Sequence, residues 1–224
     1  MRLMKRQMAL LAALISPASC SGEGDIRTAR VTGDLTYLEQ IALPPGAQAH
    51  VALRTAPRYF DTAFDPAGKS APPDPGVLIA ERTIDITQSV PIPFRLEYRL
   101  NGLDPGRPLL ADAWIFYDDQ VLFALTAAPE IQMGSSAPLR LTLRRPHHVT
   151  YVCTDGSRPM VAFPLMGNLA FLEAQGVAPL ALQAEPAASG FSYKGWGYGL
   201  RGKGREALLR RPSGDETLCE TAAP

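Results

Sequence analysis

The sequence predicts an all-β protein: an N-terminal antiparallel β-sandwich followed by a small C-terminal antiparallel β-barrel. Three observations carry this. Apolar and polar residues alternate at period two, most plainly where Phe94, Leu96, Tyr98 and Leu100 interleave with Arg95, Glu97 and Arg99. The 21 prolines and 19 glycines cut the chain into short segments parted by turns. No helical period is visible across residues 30–145.

The N-terminus reads as an export signal. Arg2, Lys5 and Arg6 form a basic start, and Met8–Ile15 is an apolar run too short to span a bilayer. Ser16-Pro17-Ala18-Ser19-Cys20 resembles a lipobox, with Pro17 where leucine is usual. Residues 1–19 then form a lipoprotein signal peptide, Cys20 is lipidated, and residues 20–29 are a polar tether. The alternative is an ordinary signal peptide cut near Ser19, with Cys20 left as a stray thiol. Ser21, rather than Asp, resembles outer-membrane sorting and implies a lipoprotein facing the periplasm. The chain carries 22 basic and 22 acidic groups; removing Arg2, Lys5 and Arg6 leaves 19 against 22, a net −3. No basic patch stands out, so nucleic acid is not an expected partner.

Residues 30–145 read as one β domain. Candidate strands are Arg30–Tyr37, Ala49–Arg54, Gly76–Asp85, Phe94–Leu100, Ala111–Tyr117, Gln120–Leu125 and Leu139–Arg144. Leu43-Pro44-Pro45-Gly46, Asn101-Gly102, Asp104-Pro105-Gly106 and Asp118-Asp119 supply the turns. Tyr59–Pro75, rich in Pro, Asp, Ala and Gly, reads as an exposed loop with no assignable chemistry. The G-x-x-x-Y of Gly33–Tyr37, the Leu43–Gly46 turn and the Val90-Pro91-Ile92-Pro93-Phe94 strand entry resemble the YbaY/YscW lipoprotein family. That resemblance implies a lipid-anchored periplasmic β-sandwich. One branch of the family pilots secretion-channel assembly, and the family offers no catalytic residues to carry over.

Pro146-His147-His148 reads as a linker with two solvated histidines, not as a metal site. His50, the third histidine, falls in a probable strand. Residues 149–222 form the second domain, with strands at Val149–Cys153, Met160–Pro164, Asn168–Glu173, Pro179–Leu182, Ser192–Leu200, Glu206–Arg210 and Thr217–Cys219. Closure into a barrel would remove exposed sheet edges. With one of three cysteines assigned to lipid, Cys153 and Cys219 remain to pair in an oxidising compartment. Closing such a loop contributes roughly 4 kcal/mol in the chain-entropy account.

The stretch Ser189–Arg211 interleaves Gly190, Gly195, Gly197, Gly199, Gly202 and Gly204 with Phe191, Tyr193, Trp196 and Tyr198. So many glycines exclude a helix and allow close backbone approach. The expectation is a hairpin with Gly202, Lys203 and Gly204 at its tip. A Tyr-x-Cys opening at Cys153, the Ser189-Gly190-x-x-Tyr193 segment, the Gly202-Lys203-Gly204-x-x-Ala207-x-Leu209 segment and the closing Cys219 resemble the MliC/PliC family of c-type lysozyme inhibitors. The resemblance implies lysozyme as partner, with Ser189 and Lys203 entering its cleft. Tyr193, Gly190, Gly202 and Gly204 would set the backbone for that approach. No histidine stands near Ser189 in sequence, and no triad, metal cluster or phosphate loop is visible, so no enzyme activity, cofactor or metal is expected. Arg205 stands where the family often has an acidic residue, and Leu200 and Arg201 roughly where it often has an aromatic. Residues 148–224 carry seven basic and seven acidic groups, so attraction to a basic lysozyme should be weak.

Overall fold

A computed structural model describes residues 27–39, 41–57, 76–165 and 168–222. The expected lipidation site at Cys20, the signal peptide and the whole Tyr59–Pro75 loop lie outside the described residues.

The described residues hold sixteen strands and no helix. The first eight are β1 (Thr28–Tyr37), β2 (Gln48–Thr55), β3 (Leu78–Asp85), β4 (Ile92–Arg99), β5 (Leu109–Tyr117), β6 (Gln120–Leu125), β7 (Glu130–Ile131) and β8 (Leu139–Arg144). They form one sheet in the order β3-β2-β5-β6-β8-β1-β4, with the short β7 paired to β5. The sheet rolls around a single core that includes Leu35, Val51, Leu53, Phe94, Leu96, Ile115, Phe123, Leu141 and Leu143. The two layers expected of a sandwich are thus halves of one strongly rolled sheet. All its pairings are antiparallel except β1 with β8, which run parallel.

β4 shows why the alternation reads so cleanly. Ile92, Phe94, Leu96 and Tyr98 are buried while Pro93, Arg95, Glu97 and Arg99 face solvent. β5 is different. Every residue from Leu109 to Phe116 is buried, and the segment is a nearly unbroken apolar run, as two-sided burial demands. Ala111, Ala113 and Ile115 enter the sheet core, while Trp114 and Phe116 point the other way. Asp112, the exception in the run, holds buried Arg54 of β2, whose Nε donates to Oδ2 at 2.5 Å.

The sheet does not close. A cleft lined by Ala80, Glu81 and Arg82 of β3 and by Arg95, Leu96 and Glu97 of β4 separates its edges. Arg82 pairs in register with the core residue Val51, so it projects toward the inner side of the edge strand. An inward charge of this kind discourages another chain from adding to the edge.

The second unit comprises β9 (His147–Cys153), β10 (Met160–Phe163), β11 (Leu169–Glu173), β12 (Leu180–Ala184), β13 (Phe191–Gly195), β14 (Tyr198–Lys203), β15 (Glu206–Arg210) and β16 (Glu216–Thr221). These close into an antiparallel barrel, β16 returning to β9. The barrel core holds Tyr151, Val161, Ala170, Leu172, Leu182, Leu200, Ala207 and Leu209. Cys153 and Cys219 are register partners across the β9–β16 seam and are joined by a disulfide with S–S 2.04 Å. The covalent bond therefore sits where the first and last strands of the barrel meet.

Two expectations need correction. Ser192–Leu200 is not one strand. Trp196 (φ +54°) and Gly197 (φ +81°) form a two-residue turn between β13 and β14, and two consecutive left-handed residues suit the twist of a hairpin. Nor are His147 and His148 a solvated linker. They open β9, and while His147 is exposed, His148 bonds to the sheet through its Nε2 and the carbonyl of Val121, 3.1 Å apart.

Candidate functional site

The local chemistry around Ser189 is set by one glycine. Ser189 is exposed, on a bend between β12 and β13. Gly190 follows at φ +75°. A methyl group added there would lie 2.0 Å from the carbonyl oxygen of Gly202 and 3.1 Å from Cβ of Lys203. Only a residue without a side chain lets the two segments touch this closely. Gly202 is equally confined, since an added Cβ would meet the Phe191 ring at 2.6 Å.

Lys203 is not at a hairpin tip. It is the last residue of β14, in register with Glu206, and the turn itself is Gly204–Arg205. Pairing holds the strand end that carries the lysine: Lys203 faces Glu206 of β15, and its neighbour Gly202 faces Phe191 of β13. Its side chain is exposed and has no ion-pair partner among the described residues. Ser189 and Lys203 both line one open groove of about 520 Å³ on the outer wall of the barrel.

The groove floor comes from an outward row that sequence reasoning missed. Ser192, Arg201, Leu208 and Leu218 stand in register across β13, β14, β15 and β16, and all four line the groove. The signal was present. Leu208 and Leu218 break the polar phase of their strands, and Leu218 remains 47% exposed. Tyr193 is turned elsewhere. It is half-buried in the barrel, its ring 5.9 Å from Phe163 and 6.0 Å from Phe191, and burial raises its hydroxyl pKa above the ordinary tyrosine value. It supports β13 from inside and does not line the groove.

The two arginines near Lys203, Arg201 and Arg205, are both engaged. Arg205 Nε donates to Thr221 Oγ1 at 3.3 Å, folding the side chain toward the C-terminal strand. Arg201 lies 3.7 Å from Glu216. Beside Lys203, Glu206 pairs in register with Glu220, so two carboxylates flank the lysine's strand end. No histidine lines the groove. Among the described residues no group of three metal-ligating side chains is found.

Comparison with known proteins gives two family matches. A family model described as type III secretion system lipoprotein chaperone (YscW) matches residues 26–143. A model described as membrane-bound lysozyme-inhibitor of c-type lysozyme (MliC) matches residues 151–218. Among solved structures, an alternative pilotin from the type II secretion system of Vibrio cholerae is similar at 21% identity and a TM-score of 0.44, covering 54% of this chain and 99% of that one. No curated protein matches this chain.

Proposed function

The chain belongs to the YscW family through residues 26–143, and on that premise we propose that it is an envelope lipoprotein whose barrel inhibits c-type lysozyme. The anchor would be a lipid on Cys20, holding the protein at the outer membrane and facing the periplasm. The observation that carries the inhibitory reading is the packing of Gly190 on the Gly202–Lys203 backbone, which puts an exposed hydroxyl and an exposed ammonium on one groove. The MliC match over the same strands supports it.

The mechanism is occlusion. A c-type lysozyme cuts with two carboxyl groups in an open cleft. Lys203 would donate a charge-assisted hydrogen bond to that pair, and Ser189 a neutral one. Neither offers a bond to cleave. Residues 191–210 supply the rigid frame, so little ordering cost falls on the binding step.

A second reading, an assembly or pilot-type structural lipoprotein led by the first sheet, is favoured by the YscW match. It needs neither Ser189 nor Lys203. Lysozyme turbidity assays on purified residues 21–224 separate the two. The inhibitory reading expects wild type to protect cells, Lys203→Ala to lose most of that protection and Ser189→Ala to weaken it. Equal protection by all three, or none by wild type, would overturn it. Point variants serve better than deleting the barrel, because deletion would expose Trp114 and Phe116.

A further inference from the structure

The barrel does not hang from the sheet on a linker. Trp114, Phe116, Val121 and Ala124 of β5 and β6 pack against Ala162, Leu169 and Phe171 of β10 and β11 in a separate buried cluster. Trp114 is held on both sides, stacked on His50 at 4.1 Å and tilted against Phe171 at 5.1 Å. At the margin of this cluster lies an unusual polar contact. Glu173 of β11 has a side chain only 1% exposed. Its Oε1 accepts the Val121 backbone N–H at 2.7 Å and sits 3.2 Å from His148 Nε2, while Oε2 is buried without a partner among the described residues. A buried carboxylate left half satisfied is costly unless a cation compensates it.

We propose that Glu173 and His148 latch the barrel to the sheet, so that the two halves move as one body and the wall bearing Ser189 and Lys203 is held away from the sheet. The topology supplies the direction. The latched wall is β9–β10–β11, and in a closed ring of eight strands β14 lies opposite β10. The latch itself stands without the lysozyme reading; only the use made of the free wall rests on it.

The groups around His148 determine how the latch responds to pH. Glu173 faces it from β11, Arg145 acts from the β8–β9 connection, β6 presents only the Val121 carbonyl, and β10 sets uncharged Ala162 opposite it. On the far side of Trp114, His50 pairs with Glu81 and has Asp112 nearby, and burial lowers its pKa. The hydrogen bond to Glu173 raises the His148 pKa above its ordinary value, against opposing burial. A group whose pKa is raised on folding stabilises below its unfolded value, and that stabilisation is lost as pH climbs through the folded value. The latch is therefore tightest in mildly acidic solution and loosens above neutrality.

The test is amide exchange at Val121 in residues 21–224, read as protection relative to the unstructured chain. Wild type is expected to protect this amide, less so as pH rises from about 5.5 to 8, the range around an ordinary histidine pKa. Glu173→Gln should lower protection about tenfold or more, the mark of a local opening made easier, and flatten the pH profile. His148→Gln should flatten the profile while the fold persists, and it decides alone if Glu173→Gln does not fold. Protection and a pH profile unchanged in His148→Gln would overturn the proposal. So would separate thermal transitions for sheet and barrel in wild type.

Discussion

Gly190→Ala is the sharpest perturbation the structure offers. The added methyl would meet the Gly202 carbonyl oxygen at 2.0 Å, and carbon–oxygen contacts settle no closer than about 3.3 Å. The Ser189 bend must therefore retreat from β14 by roughly an ångström, the difference between those distances. The left-handed backbone alone costs an alanine about 1–2 kcal/mol, and the forced separation adds about 1–3 kcal/mol. Binding suffers too. Moving Ser189 loses its hydrogen bond, about 1 kcal/mol, and part of the charge-assisted bond from Lys203, about 1.5 kcal/mol. The sum corresponds to roughly 30- to 100-fold weaker inhibition. Gly204→Ala is the control. Gly204 is also left-handed, at φ +63°, but nothing lies within 4 Å of a Cβ there. It should cost about 1–2 kcal/mol of stability and weaken inhibition far less than Gly190→Ala does, since no clash displaces Ser189. Guanidinium midpoints and lysozyme turbidity assays measure both quantities. A Gly190→Ala protein that matches wild type in midpoint and inhibition would refute the reasoning, as would a larger loss of inhibition in Gly204→Ala.

Lys203→Ala should weaken lysozyme inhibition by about 2–5 kcal/mol and Ser189→Ala by about 1 kcal/mol. Both side chains are exposed, so unfolding midpoints should stay at the wild-type value. Replacing Cys153 and Cys219 together by alanine should cost about 4 kcal/mol, read as a lower denaturant midpoint, because the bridge closes the barrel seam. Asp112→Ala leaves the Arg54 guanidinium buried without its carboxylate and should destabilise by about 3–5 kcal/mol in the same measurement. The association rate with a basic lysozyme should change little between low and moderate salt; a steep fall would contradict the balanced charge of the barrel.

The sequence and the structure part company in instructive places. Strands with one wet face were legible, because Phe94 to Leu100 and Leu139 to Arg144 write their orientation into a period of two. The barrel's closure left a trace in cysteine arithmetic, and Cys153 and Cys219 are indeed register partners. The Trp196–Gly197 turn was missed because a tryptophan at positive φ is a choice that local propensity argues against. The lysine was expected one position too far along, since Gly202 and Gly204 look alike in sequence. Only packing distinguishes them: Gly202 is confined by Phe191 and Glu206, whereas Gly204 is free to turn. The parallel β1–β8 pair and the Glu173 contact were beyond reach for a common reason. Both join residues distant in the chain, and no local period records which strands become neighbours.

That last gap matters for how the two halves are understood. Read as a string, Pro146-His147-His148 looks like a hinge, and a hinge would make the first sheet a spacer. Yet β5 carries an apolar run buried on both faces, and a sheet domain ending at solvent has no reason to spend Trp114 and Phe116 on its outer side. Aromatic pairs of this kind contribute beyond simple area, and a barrel that swung free would lose the Trp114–Phe171 pair. A tilt of the barrel toward the sheet is resisted by the same cluster, while among the described residues the β13–β16 wall has no such cover, and Leu208, Leu218, Ser189 and Lys203 line its groove. The burial of one wall is thus what defines the other as the face available to a partner.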